Sequence, residues 1–95
     1  MDLGIKGLRA IVTGGTKGIG RAIVETLATE GCAVAFCARN AEEVSGAVSA
    51  LKIKGMQVSG RALDVADASA LQKWVHDVAT EFSGIDLVIA NVSAL

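Results

Sequence analysis

The stretch Thr13-Gly14-Gly15-Thr16-Lys17-Gly18-Ile19-Gly20 decides the fold of this chain. It follows an apolar, β-branched run over residues 8–13 and precedes a segment with apolar residues at helical spacing, which predicts a strand, a tight turn and a helix. The apolar stripe of that helix is predicted to contain Ile19, Ala22, Ile23 and Leu27. Glycines let the backbone of such a turn approach a ligand, and the helix start offers N–H groups and partial positive charge to a phosphate. The stretch therefore predicts a phosphate-binding loop.

The same strand-then-helix unit recurs along the rest of the chain. Short apolar strands are predicted to start at Arg9, Ala33 and Gln57, at equal intervals, and a fourth spans residues 86–91. Asn40 and Asp67 have the residue types and positions of helix N-caps. The helices they begin carry apolar stripes, predicted as Val44, Ala47, Val48 and Leu51, then Leu71, Trp74, Val75, Val78, Ala79 and Phe82. This alternation predicts an α/β fold, a parallel sheet with helices on both faces. In a doubly wound sheet these four strands would have the order 3-2-1-4.

Composition narrows the classes of protein and of partner. The 95 residues are 52% hydrophobic and 20% charged, which is too apolar for a disordered chain. Nine Lys and Arg against ten Asp and Glu are scattered without a basic face, so neither nucleic acid nor an anionic membrane is an expected partner. No apolar stretch is long enough to cross a bilayer and the start lacks a signal-peptide pattern, so a cytoplasmic protein is expected.

The two cysteines predict neither a disulfide nor a metal site. Cys32 and Cys37 are five positions apart on or beside one strand, and an odd separation there directs two side chains to opposite faces of the sheet. Two buried thiols are therefore expected, and no metal ligands.

Three kinds of phosphate site compete for the glycine loop. A nucleoside triphosphatase loop requires Lys and then Ser or Thr after its last glycine, but Arg21-Ala22 follows here. A methyl-donor site of similar topology needs an acidic residue at the end of the second strand, and residues 37–40 read Cys-Ala-Arg-Asn. A dinucleotide site fits, because Arg39 after the small Ala38 suits the 2′-phosphate of NADP, and Lys17 offers a second positive charge.

The chain resembles the short-chain dehydrogenases/reductases. Thr13, Gly14, Gly18 and Gly20 form their Thr-Gly-x-x-x-Gly-x-Gly loop, and Ala38-Arg39 matches the NADP-preferring subgroup. Leu63-Asp64-Val65 looks like the family's adenine-binding segment, and residues 86–91 look like its fourth strand. The resemblance implies a Rossmann-type sheet. It also implies a set of cofactor-binding residues, which is Gly14, Thr16, Lys17, Gly18, Ile19, Gly20, Arg39, Asn40, Asp64, Val65 and Asn91.

The resemblance further implies an NADP(H)-dependent oxidoreductase that transfers hydride between nicotinamide and a carbonyl or alcohol substrate, and that forms a homo-oligomer, with a tetramer expected. The family's catalytic serine, tyrosine and lysine lie well past the fourth strand, and this chain has no tyrosine. We therefore expect residues 1–95 to be the N-terminal, cofactor-binding part of one domain that continues further, to contain no catalytic residue and to be inactive alone. The alternative is a module that binds or senses NADP without chemistry.

The fourth motif departs from the family pattern. The family has Asn-Asn-Ala-Gly where this chain has Ala90-Asn91-Val92-Ser93, so Ser93 places a side chain where the family has none. We expect Asn91 still to stabilise the central sheet. Leu87, Val88 and Ile89 should form an apolar edge strand, which a soluble protein seldom leaves unpaired.

Overall fold

The computed structural model describes residues 6–91, which form one parallel sheet covered by helices on both faces. The elements in chain order are β1 (Arg9–Thr13), α1 (Gly18–Thr29), β2 (Ala33–Ala38), α2 (Ala41–Ile53), β3 (Val58–Ala62), α3 (Ala68–Phe82) and β4 (Leu87–Ala90). The strand order is β3-β2-β1-β4 and every pairing is parallel. The predicted fold class and strand order are confirmed, and the outer strands are a little shorter than predicted.

The two faces of the sheet carry separate apolar cores. One core packs α1 and α2 against the sheet, and the other packs α3, through Trp74 and Val78, against the opposite face. The two cysteines lie one in each core and form no disulfide, as their odd separation predicted. Desolvation raises the pKa of both thiols, which disfavours the reactive thiolate form.

The predicted helix caps are confirmed. Asn40 Oδ1 accepts a hydrogen bond of 3.0 Å from the Glu43 N–H, and Asp67 Oδ1 accepts one of 3.1 Å from the Ala70 N–H. Each bond satisfies a backbone donor that the helix itself leaves without a partner. The α2 stripe is also confirmed, whereas Val75 on the predicted α3 stripe is exposed.

The predicted apolar stripe of α1 is confirmed only in part, because Leu27 is buried and Ile23 packs against the core while the other two residues do not. Ile19 is 74% exposed and Ala22 is exposed. The buried residues of α1 are Gly20, Val24, Leu27 and Ala28. The helix turns Gly20 toward the sheet because its missing side chain allows the closest approach there, and this rotation carries Ile19 to the outside. The periodicity alone did not select this rotation, because Val24 and Ala28 are also apolar and also recur at helical spacing.

The β4 strand lies at the edge of the sheet, as predicted, and one of its faces is bare. Its side chains alternate between half-buried and exposed, and Val88 is 71% exposed.

Within residues 6–91, no helix is both long and apolar enough to cross a membrane.

Candidate functional site

The glycine loop begins where β1 leaves the sheet, and backbone hydrogen bonds fix its course. The N–H groups of Gly14 and Gly15 both donate to the Cys37 carbonyl, at 2.8 and 3.2 Å. Gly14 has φ +72°, in the left-handed region that favours glycine, and a Cβ there would overlap the Asn91 carbonyl. A Cβ on Gly15 would lie 2.6 Å from Phe36 Cβ. Packing against Asn91 and Phe36 therefore requires glycine at positions 14 and 15.

Asn91 joins the end of β4 to this loop. Its Nδ2 donates to the Gly14 carbonyl at 3.1 Å, and its backbone N–H donates to Thr13 Oγ1 at 3.0 Å. A Cβ on Gly20 would overlap the same Gly14 carbonyl and lie 2.5 Å from Asn91 Nδ2. The first turn of α1, the loop and the end of β4 therefore form one closely packed unit, and the expected stabilising contact of Asn91 is present.

Gly18 differs from the other loop glycines because nothing packs against it. Its φ is +56°, and a Cβ built there meets no atom within 4 Å among the described residues. Lys17, the N-cap of α1, has extended backbone and no side-chain hydrogen bond to the cap. The start of α1 thus has an open side, and the side chain of its N-cap residue does not occupy the first N–H groups. This is the arrangement that binds anions at helix starts.

Two basic side chains lie at the same edge of the sheet. Lys17 Nζ is 2.9 Å from Glu43 Oε1, with side-chain exposures of 81% and 29%. The contact satisfies the distance of an ion pair, although Glu43 Oε1 accepts no hydrogen bond of ordinary geometry. Arg39 directly follows β2 and is exposed, and within residues 6–91 its guanidinium forms no ion pair. The Arg39 charge is thus available to a ligand, and the Lys17 charge is shared with a carboxylate.

Asp64 and Val65 follow β3 at the same edge. The Leu63 N–H donates to the Ala38 carbonyl at 2.9 Å, which holds this segment beside the end of β2. Asp64 Oδ1 accepts from the Ala66 N–H at 2.9 Å, so the carboxylate stabilises its own turn while remaining exposed. Val65 is half-buried and packs on the α3 core.

The remaining predicted positions lie at the same edge, with different contacts. Thr16 is half-buried, Ile19 is exposed, and the Asn40 side chain already caps α2. Val92 and Ser93 lie outside the described residues. In the described part of the chain no group of three or more His, Cys, Asp or Glu could hold a metal ion. Sequence reasoning missed the pairing of Lys17 with Glu43, because no spacing pattern links a residue before α1 to a residue of α2.

Comparisons with known proteins identify the family of this chain. The family model described as short chain dehydrogenase matches residues 9–95. A tropinone reductase homologue of Arabidopsis thaliana is 40% identical over 89 residues, which are 93% of this chain and 34% of that protein. The structure of L-sorbose reductase from Gluconobacter frateurii, complexed with NADPH and L-sorbose, is 37% identical and has a TM-score of 0.92 over 99% of this chain and 36% of that one.

A short-chain dehydrogenase/reductase from Serratia marcescens is similar as well. It is 41% identical, with a TM-score of 0.85 over 92% of this chain and 36% of that one. The chain thus spans about a third of the length of the relatives it matches. The family match covers nearly all of its residues, and the sheet order and the glycine loop are those the sequence predicted. This chain belongs to the short chain dehydrogenase family.

Proposed function

We propose that this chain is the adenosine- and pyrophosphate-binding part of an NADP(H)-dependent oxidoreductase that transfers hydride between nicotinamide and a carbonyl or alcohol substrate. The observation that carries the proposal is the carboxyl edge of the sheet. There the glycine loop is packed tightly against Asn91 but open at Gly18, and two basic side chains, Lys17 and Arg39, flank it.

The loop fits a pyrophosphate. Gly14 and Gly20 allow the close packing of the loop, and Gly18 leaves backbone open beside the start of α1, where N–H groups and the helix dipole favour an anion. Thr16 and Ile19 lie in the same turn and contribute hydroxyl, backbone and apolar contacts in this proposal. Asn91 stabilises the loop and does not bind the cofactor itself in this proposal, since its amide donates a hydrogen bond to the Gly14 carbonyl.

The end of β2 fits a ribose 2′-phosphate. The exposed Arg39 guanidinium can donate paired hydrogen bonds to phosphate oxygens, and Asn40 marks the start of α2, which also favours an anion. Charge-assisted hydrogen bonds contribute about 1.5–3 kcal/mol each, and solvent screening reduces this for exposed groups. We therefore expect NADPH to be preferred over NADH by about tenfold or more.

The adenine contact is assigned to Asp64 and Val65. The Asp64 carboxylate is exposed beside the end of β2, and the backbone of Val65 follows directly. Asp64 Oδ1 already accepts the Ala66 N–H, which holds the carboxylate in place. A preformed orientation lowers the entropy lost when an exocyclic amine of adenine binds.

The bound nicotinamide would supply the hydride, and the proton-transfer groups belong to sequence outside these residues. In this proposal residues 1–95 are one part of a single dinucleotide-binding domain and are inactive alone. A small carbonyl or alcohol substrate, a homo-oligomer, expected to be a tetramer, and a cytoplasmic location are further parts of it. Sedimentation of the intact protein and cell fractionation check the last two.

The cofactor preference is tested by the double substitution Ala38→Asp with Arg39→Ala. It removes the Arg39 guanidinium, which would bind the 2′-phosphate. It also adds a carboxylate at position 38, which accepts a hydrogen bond from the ribose 2′-OH and repels phosphate. We expect the intact protein to bind NADPH more tightly than NADH in calorimetry, and the double variant to reverse the order. Arg61→Ala is the matched control, since Arg61 pairs with Asp77 on α3 and should leave the ratio unchanged. Equal affinities of the unmutated protein for the two cofactors would refute the preference.

Turnover separates the enzyme from the alternative binding module. The intact protein is incubated with NADPH and a panel of ketones and aldehydes, and the loss of nicotinamide absorbance is recorded. NADPH oxidation that depends on the carbonyl compound supports the oxidoreductase. Tight NADPH binding without oxidation by any carbonyl supports a module that only binds the cofactor.

A further inference from the structure

We infer that Glu43 is a positioning residue that limits the preference for NADPH, because it holds the Lys17 ammonium in competition with the ribose 2′-phosphate. This rests on the proposed function and extends it to a residue that binds no cofactor itself. The juxtaposition that carries it is the 2.9 Å contact between Lys17 Nζ and Glu43 Oε1, which links the glycine loop to the first turn of α2.

The contact places the Lys17 charge beside the proposed phosphate position. Asn40 is the N-cap of α2, Arg39 precedes it, and Glu43 lies in the first turn. An ammonium held by Glu43 is therefore held at the helix start that Arg39 flanks. To meet a phosphate at that helix start, the Lys17 ammonium must give up its contact with Glu43.

The contact between Lys17 and Glu43 is weak, so a phosphate can replace the Glu43 carboxylate as the partner of the ammonium. Glu43 Oε1 is buried yet accepts no hydrogen bond of ordinary geometry, while the ammonium lies within ion-pair distance. Lys17 is 81% exposed, and ion pairs with so exposed a partner contribute little, with a range of about 0.2–1 kcal/mol. A phosphate with two negative charges attracts the ammonium more strongly than a single carboxylate does. Binding of NADPH thus draws Lys17 away from Glu43, whereas the neutral ribose hydroxyl of NADH does not.

Glu43 therefore makes the free energy of binding less favourable for NADPH and leaves that of NADH unchanged. Separating Lys17 from Glu43, and bringing phosphate near the carboxylate, both oppose NADPH. Neither acts on NADH. Removing the Glu43 charge should therefore tighten NADPH binding by about two- to fivefold and change NADH binding by less than about twofold.

The experiment is calorimetry on the intact protein with NADPH and NADH, and with adenosine 2′,5′-bisphosphate as a probe that lacks nicotinamide. Glu43→Gln keeps the shape of the side chain and the backbone N–H that Asn40 accepts. Its matched control is Glu42→Gln, which removes the same charge from the neighbouring exposed position of the same turn. We expect Glu43→Gln, and not Glu42→Gln, to tighten NADPH and the bisphosphate selectively.

A double-mutant cycle with Lys17→Met tests whether Glu43 acts through Lys17. We expect Lys17→Met to weaken NADPH and to remove most of the effect of Glu43→Gln. An unchanged NADPH affinity, an equal change for both cofactors, or weaker NADPH binding in Glu43→Gln each overturns the inference. Equal NADPH and NADH affinities in the unmutated protein count instead against the proposed cofactor preference, so the two failures are distinguishable.

Discussion

The two ends of the β1–β4 pair use their polar groups in opposite ways. At the amino end the Arg9 backbone N–H and Nε both donate to Asp86 Oδ2 at 2.8 Å, Nη2 donates to Oδ1 at 3.0 Å, and Nη1 donates to the Ser83 carbonyl at 2.6 Å. At the carboxyl end the strands are joined by an uncharged amide, Asn91, while Arg39 faces solvent and Lys17 has one loose partner.

The contrast separates structural charges from charges kept for a ligand. Arg9 and Asp86 satisfy each other, so the amino end has little to offer to another molecule. The carboxyl end leaves cations and helix-start N–H groups without strong partners, and such groups gain most from an incoming anion. Substitutions at the two ends should therefore affect different properties, stability at one and cofactor affinity at the other, with the glycine loop affecting both.

The largest effect is expected for Gly20→Ala, which attacks the carboxyl end at its closest contact. The added methyl would overlap the Gly14 carbonyl and press on Asn91 Nδ2. Overpacking against backbone costs about 2–3 kcal/mol, and displacement of the loop should abolish tight NADPH binding. Urea denaturation of the intact protein, followed by circular dichroism, measures the loss of unfolding free energy. Calorimetry measures the loss of NADPH affinity.

The control for Gly20→Ala is Gly46→Ala in the middle of α2. A Cβ at Gly46 meets nothing within 4 Å, and alanine is the better helix former. We expect Gly46→Ala to raise the free energy of unfolding by about 0.5–1 kcal/mol and to leave NADPH affinity unchanged. If both alanine variants behaved alike, the close packing of Gly20 would not be the cause.

Asn91→Ala should have the next largest effect. It removes the hydrogen bond to the Gly14 carbonyl and leaves that half-buried acceptor without its side-chain partner. The expected loss is about 1–2 kcal/mol of unfolding free energy, together with weaker binding of NADPH and NADH alike. A loss confined to NADPH would place Asn91 at the 2′-phosphate and contradict its role behind the loop.

At the amino end, Asp86→Asn should change the pH dependence of stability and not the cofactor affinity. Hydrogen bonds from Arg9 lower the pKa of Asp86 from 3.8 to about 2. Because the folded-state pKa lies below the unfolded one, the stabilisation is present above pH 3.8 and is lost as the pH falls through about 2. We expect the variant to melt at a lower temperature than the unmutated protein near neutral pH. The gap should narrow as the pH falls from 3.8 toward 2, and a constant gap would argue against this linkage.

The smallest change in stability is expected for Arg39→Ala. The side chain is exposed and forms no ion pair with another residue of the range 6–91, so unfolding free energy should change by less than about 0.5 kcal/mol. Its NADPH affinity should nevertheless fall while its NADH affinity stays within about twofold. A marked loss of stability would show that Arg39 serves the fold.

Much of the fold was predictable because its signals are local. Strand runs, the glycine turn and the N-caps Asn40 and Asp67 each arise from a few consecutive residues, and their order restricts the sheet to few topologies. The rotation of α1 was not predictable. Ile19 and Val24 are both apolar, and only the contact of Gly20 with the Gly14 carbonyl selects the face that is buried.

The sequence by itself determined which residues gather at the carboxyl edge, because parallel strands bring their ends and the following loops to one side of the sheet. Only the tertiary structure decided how those residues are engaged. In the structure Lys17 contacts Glu43, and Arg39 is exposed to solvent. The Asn91 amide donates to the Gly14 carbonyl, and the Asp64 carboxylate accepts a hydrogen bond from the Ala66 N–H within its own turn. The physical reason is that position along the chain sets which groups come near one another, whereas partnership depends on side-chain directions and distances that only the packed helices and sheet establish.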